Sequence, residues 1–385
     1  MTNNRERVLS VLHYEDYDCL PIVHFGFWVE TLQKWRDEGH ITADEAANWT
    51  DGTPIDKSIG DKLGFDFGWY NCFDSYASLF PCFEPKVMKV NVDGSREVLQ
   101  YDGTIVLQKE GAGSIPSEID HTLKDRKSWE EHYLPRLQFS AERILKSKVN
   151  TGKVFLEYDG GGLDFLKKSE RENPLGLYCG SLFGNIRNWL GVVGVSYLYM
   201  DDEKLFDEII NTVGDLSYNC AKTVLAAGAK FDFAHFWEDI CFKNGPLIIP
   251  SVFEQKVGPH YRRITNLLNQ YGIDIVSVDC DGLIDSLIPT WFNNGVNTMF
   301  PIEVGTWNAS IEPWRLRYGK GLRGVGGMNK TVFSRDYAAI DAEVERLKPL
   351  IELGGYIPCP DHRIAPDAKW ENIQYYCEKM RNICG

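Results

Sequence analysis

Residues 273–301, IDIVSVDCDGLIDSLIPTWFNNGVNTMFP, decide the fold. The run 273–278 is apolar and rich in β-branched residues, which predicts a strand. The segment 284–293 carries apolar residues at helical spacing, and 296–301 is a second short apolar run behind a glycine. Strand, helix and strand in so short a span form a crossover unit, and a crossover makes its two strands parallel. The alternation continues on both sides. Further strands are expected at 153–158, 231–236, 321–326 and 354–357, with a weaker one at 176–181, and helices at 202–227, 250–271, 335–353 and 366–381. Towards the start, 5–13 reads as a helix and 20–25 and 65–69 as strands. About eight strands result, so the expected class is α/β, a (β/α)8 TIM barrel with an N-terminal helical extension, covering 1–385 as one domain. The stretch 85–111 has Asp93-Gly94 and Asp102-Gly103 turns between alternating segments, which predicts an inserted antiparallel β-meander. The charged segment 124–147 reads as mostly helical and external.

Hydrophobic residues at 43% and charged residues at 25% suit an ordinary globular core. With 41 basic and 55 acidic residues the net charge is −14, and no lysine/arginine block exceeds two residues, which argues against nucleic acid or an anionic membrane as partner. The start lacks an apolar signal core, and no run approaches the ~18 apolar residues of a membrane span, so a cytoplasmic protein is expected. Ten cysteines without a Cys-x-x-Cys pair indicate neither a disulfide framework nor a zinc ribbon. Two of them, Cys280 and Cys359, fall at strand ends.

In a barrel the active site is built at the C-terminal ends of the strands. That filter collects His24, Asp66, Glu157, Tyr158, Asp159, His235, Trp237, Glu238, Asp239, Asp279, Cys280, Asp281, Glu303, Asn329 and His362. Asp279 and Asp281 are two apart on an extended strand end and so face the same way. With His235 or Glu238 from the strand before and His362 from the last, they would make a three-ligand zinc site with an open position. The bland alternative is that Asp281 caps the helix after it. His362 stands in the Pro-rich turn 358–366 and suits acid/base work or ligation; the bland alternative is a histidine that hydrogen-bonds its loop. Gly160-Gly161-Gly162 and 180–184 offer openings for an anion, although neither is a Walker or dinucleotide fingerprint.

Taken in order, these residues resemble the uroporphyrinogen decarboxylase superfamily. The resemblance rests on Arg5-Glu6-Arg7-Val8-Leu9 with Leu12, Asp18 and Pro21, then Gly64-Phe65-Asp66, Gly245-Pro246, Gly326-Gly327-Met328-Asn329-Lys330, and Asp361-His362 followed by Ala365-Pro366-Asp367. It spans nearly the whole chain. Decarboxylases of the family carry an arginine-rich segment after the first strand; here that place holds Phe25-Gly26-Phe27-Trp28-Val29-Glu30. Corrinoid methyltransferases of the family hold zinc with a His-x-Cys pair and a further cysteine; here Asp279, Asp281 and His362 stand at or beside those places, a replacement resembled by the ether-cleaving branch.

The resemblance implies a methyltransferase that moves a methyl group from a small methoxylated or methylated substrate to a corrinoid carried by a partner protein, through zinc. The expected catalytic residues are His362, Asp66 and Glu157. His24, Trp28, Tyr158, Trp237, Glu303 and Asn329 are expected to bind substrate, and His235, Glu238, Asp279, Asp281 and His362 to hold the metal. Two alternatives stay open: a decarboxylase of a tetrapyrrole or other acid, and a non-catalytic corrinoid- or tetrapyrrole-binding protein. A homodimer is among the expected assemblies.

Overall fold

The computed structural model describes residues 2–109 and 116–383. The expected end of the insertion, at 110–111, and Cys384 lie outside the described residues. Nine short parallel strands organise the described residues: β1 (Val23–His24), β2 (Phe67–Gly68), β3 (Cys72–Asp74), β4 (Gly176–Tyr178), β5 (Phe233–Trp237), β6 (Val276–Asp279), β7 (Thr298–Phe300), β8 (Arg323–Met328) and β9 (Tyr356–Pro360). From β3 to β9 they form one seven-stranded parallel sheet in chain order. Parallel strands are covered on both faces and therefore run apolar rather than alternating, and β6 and β7 are buried at every residue.

The pair β1–β2 stands apart from that sheet. Chain continuity through 69–71 joins β2 to β3, and a single parallel bridge, Phe27 to Ile364, joins the β1 side to the chain after β9. The amides of Ile364 and Trp28 donate to Gly26 O and Ile364 O across this seam. Among the described residues, then, the expected ring is a parallel sheet and a pair meeting at one bridge, without a continuous ladder. Backbones pass closely at the other side of the mouth: Gly326 has φ +130°, and a Cβ there would lie 1.4 Å from Pro301 O, so no side chain fits.

The helix Glu203–Ala226 starts at Asp202, whose side chain accepts from Leu205 N at 2.9 Å, and it buries Leu205, Ile209, Val213, Leu216 and Cys220 along one face at three- and four-residue spacing. The segment expected as one helix over 250–271 is two, Pro250–Lys256 and Gly258–Gln270, because Pro259 has no amide to continue the ladder. Buried rings such as Trp69 stacked on Phe233 at 4.7 Å fill the interior. Each contributes on the order of 4–6 kcal/mol of burial before its ordering entropy.

Two expectations are corrected. The run at 153–158 is not a barrel strand: Phe155–Glu157 pairs antiparallel with Lys148–Asn150 about the turn at Gly152. The insertion reaches further than 111, as four antiparallel strands from Lys86–Val90 to Ser117–His121; Lys86, Lys89 and a register irregularity blunt its exposed first strand as a pairing edge. The 124–147 segment is mostly helical, as expected, in short pieces that run over 126–137 and Ala141–Leu145 and are divided at 138–140. No helix among the described residues is long and apolar enough to cross a membrane.

Candidate active site at the strand ends

Register places Trp237, Asp279 and Phe300 level on β5, β6 and β7. Just beyond them come Asp281, Glu303 and, from the loop after β9, His362. His362 Nε2 lies 3.1 Å from Asp281 Oδ2. Trp28 stacks on the imidazole at 5.3 Å and Phe25 flanks it at 5.2 Å. The outer atoms of the pair, His362 Nδ1 and Asp281 Oδ1, are buried without a protein partner. Asp361 fixes the loop: its carboxylate accepts from Gly305 N at 2.6 Å and Lys330 N at 3.2 Å, so the ends of β7, β8 and β9 are tied together beneath His362.

The acids here share one field. Burial raises the carboxyls of Asp279, Asp239 and Glu303, and the charge of Asp281 raises each of them further. Asp279 accepts a hydrogen bond from the Tyr70 hydroxyl, and Glu303 accepts from Thr306 Oγ1 at 2.8 Å and from Gly282 N. Burial lowers the Lys330 ammonium while Asp361, Asp281 and Glu303 pull it back.

Of the expected catalytic residues only His362 is at this mouth. Asp66 sits at the opposite, N-terminal end of β2, where it accepts from Ile22 N at 2.8 Å and Arg381 Nη1 at 3.1 Å, anchoring the terminal helix. Glu157 is on the antiparallel hairpin, exposed, 3.5 Å from Lys148. Among the expected substrate groups, Trp28 lies on the His362 ring, Trp237 ends β5 level with Asp279, and Glu303 follows β7. His24 points from β1 into the packing against Pro54–Leu63, its Nδ1 accepting from Gly26 N. Tyr158 is buried against Phe73 at 6.0 Å, and the Asn329 side chain caps the turn at Lys330–Ser334.

The expected zinc set does not fit. Among the described residues no three His, Cys, Asp or Glu side chains gather as a metal site. Only Asp281 and His362 meet. His235 lies deeper, its Nδ1 on Ser277 Oγ at 2.7 Å, and Asp279 is engaged with Tyr70. Glu238 is saturated: it accepts from the amides of Leu182, Phe183 and Gly184 at 2.7–2.9 Å, from Ser181 Oγ at 3.2 Å, and from the Tyr261 hydroxyl. The anion that the 180–184 opening receives is thus the chain's own. Asp281 is no cap either, since the next helix begins at Ile288 without a side-chain cap.

Sequence reading missed Tyr70 and Asp74. The expected strand ended at Trp69, whereas the chain kinks and resumes as β3, which puts Asp74 level with Tyr178. The apolar Cys72-Phe73 before an acid was the available signal. Lys330 and the Arg363–Asp51 pair, joined at 2.9 Å and by a second shorter bond, also belong to the rim.

Beneath the seam, His24 Nε2 lies 3.9 Å from Asp56 Oδ2, both buried. Burial lowers His24 to about 4 and raises Asp56 to about 6. His24 therefore contributes stability that is present above its unfolded value near 6.5 and lost as pH falls to about 4, whereas Asp56 contributes stability that is lost as pH rises from near 3.8 to about 6. The two slopes oppose between pH 4 and 6, each on the order of 3 kcal/mol. Asp56→Asn should unmask the histidine, so that urea midpoints fall on acidification more steeply than in the wild type. Parallel pH curves for both proteins would refute this.

No family model matches the chain, and no curated protein does. Among solved structures, a methyltransferase from Methanosarcina mazei superposes with a TM-score of 0.62 at 14% identity, over 99% of this chain and 98% of that one. This chain shares its fold. A B12-independent methionine synthase from a Shewanella species (12% identity, 94% and 98% covered, TM-score 0.46) and a putative one from Listeria monocytogenes (13%, 96% and 100%, 0.42) are more distant.

Proposed function

We propose that this chain is a cytoplasmic methyltransferase of the uroporphyrinogen decarboxylase-like kind, its β1–β2 pair completing a closed barrel, which moves a methyl group from a small methoxylated or methylated substrate to a corrinoid carried by a partner protein. The observation that carries the reading is the His362–Asp281 contact at 3.1 Å, set at the strand ends of a fold shared over its whole length with a methyltransferase. When a methyl group leaves oxygen, the bonding pair stays on oxygen and that atom takes a proton. Asp281 accepts from Nε2–H and stabilises the doubly protonated ring, whose Nδ1–H faces the substrate and passes to the leaving oxygen, the arrangement by which a carboxylate positions a histidine for proton transfer. The partner's corrinoid, when docked, supplies the nucleophile. Trp28 and Phe25 hold the ring and exclude water from it. Zinc has no part in this reading, because the expected ligands do not converge.

The test is incubation of the full chain with reduced corrinoid and a panel of methoxylated and N-methylated donors, with demethylated product measured by chromatography. Release of carbon dioxide from a carboxylic acid without any demethylation would overturn the reading in favour of a decarboxylase. Uroporphyrinogen itself should not react, since 25–30 has no arginine and Arg363 is committed to Asp51. Stepwise carboxylate loss at an enzymatic rate would contradict that expectation.

A further inference from the structure

We propose that the cavity at the N-terminal ends of β3 and β4, at the other end of the strands from His362, binds a small organic carboxylate through Arg171. The cavity measures about 270 Å³ and is bounded by the start of the helix Pro54–Leu63, the turn at 150–153 and the segment 165–175. Arg171 is part of its wall and is only 8% exposed. Its Nη1 donates to Lys168 O at 2.6 Å and its Nη2 to Asp232 Oδ2 at 3.1 Å, whereas Nε is buried with no partner in the protein. A buried guanidinium ordinarily uses its donors, because an unmade hydrogen bond from a charged group carries the full desolvation cost.

The charge is left over as well as the donor. Asp232, the carboxylate that Arg171 meets, also accepts from Arg5 Nε at 2.6 Å and from Leu175 N at 2.9 Å. Two guanidinium groups thus share one carboxylate, and among the described residues Arg171 has no second ion pair. One positive charge stays uncompensated beside the cavity, and a buried charge is costly until it is paired. The buried acid on the same wall, Asp56, does not supply the balance. Its carboxyl is taken by Trp49 Nε1 at 2.8 Å and Gly52 N at 3.1 Å, and the arginine whose charge acts on it is Arg363.

The rest of the wall sets the class of anion. Phe67, Phe165 and Leu175 give a short carbon skeleton something to pack on. Glu170 and Glu172 stand exposed on the wall and repel a phosphate dianion more than a singly charged carboxylate. Arg171 also offers one free Nε–H, not the open fork that grips phosphate with two parallel bonds. Of the two lysines there, Lys57 is paired with Asp61 at 2.8 Å and Lys153 is exposed, so the buried contact falls to Arg171.

Calorimetric titration of the full chain with sodium butyrate at constant ionic strength should show saturable binding. It should be at least about tenfold tighter than that of butyramide, the neutral counterpart, and tighter than that of inorganic phosphate. Arg171→Gln should weaken butyrate at least about tenfold and leave butyramide unchanged. Glu170→Gln and Glu172→Gln, both at exposed positions, should each tighten butyrate about two- to threefold, which locates the ligand even if Arg171→Gln does not fold. His362→Ala, at the opposite ends of the strands, should bind butyrate like the wild type. Butyrate binding no tighter than butyramide, full affinity in a folded Arg171→Gln variant, unchanged affinity in both glutamate variants, or a loss in His362→Ala would each overturn the proposal. Phosphate binding tighter than butyrate would overturn the carboxylate class.

Discussion

His362→Ala should lower turnover about 10²- to 10⁴-fold, the contribution of a positioned acid/base group, while the urea unfolding midpoint stays close to that of the wild type. The imidazole is not a core element. Its side chain keeps 19% of its exposure, and what it loses on truncation is one contact with Asp281 and the Trp28 and Phe25 faces. Asp281→Asn should reproduce much of the defect, because a neutral amide no longer stabilises the doubly protonated ring whose Nδ1–H is given to the leaving oxygen. Added imidazole should restore part of the activity of the alanine variant and none of that of the asparagine variant. A loss below about tenfold in His362→Ala would move the chemistry elsewhere on the rim, with Asp74 and Tyr70 the next residues to change.

Glu238→Ala should cost about 3–5 kcal/mol of stability, enough to leave a domain of ordinary stability marginal or unfolded at 37 °C. Five donors converge on this fully buried side chain, three of them the successive amides of Leu182, Phe183 and Gly184 that lead into the helix Gly184–Asp201. Alanine strands all five in a cavity that offers no replacement, and each unsatisfied buried donor carries its own desolvation cost. Glu238→Gln keeps the volume but places an NH₂ group among donors, so it should fall between the two. Urea unfolding followed by circular dichroism measures the difference. A loss under about 1 kcal/mol in the alanine variant would mean that the amides find other partners, and the carboxylate would regain a role in the chemistry.

The parallel core was legible because its strands and crossover helices carry different hydrophobic periods, and β4 to β9 fall where the apolar runs are. Legibility failed where one signal had two causes. The run at 153–158 is as apolar as a barrel strand, yet the Gly152 turn folds it back on Lys148–Asn150, and nothing in its composition separates the two outcomes. Asp66 and Glu238 are acids beside strands in the sequence; only coordinates show that one lies at the far end of its strand and that the other is enclosed by amides. The kink at 69–71 hid Asp74 for the opposite reason, since a strand that stops and restarts looks like a strand that has ended. At the mouth, Asp281 and His362 are 81 residues apart and meet only because β6 and β9 open on the same side of the sheet.

The enclosure of Glu238 has a consequence for selectivity. Successive free amides where a chain enters a helix beside a strand-end mouth are ordinarily a receptor for phosphate or carboxylate groups. Here the receptor is occupied from within, by a side chain that cannot diffuse away. The protein therefore carries a permanent internal competitor, tethered at a local concentration that no metabolite could match. These three amides are therefore not available to a phosphate group from outside.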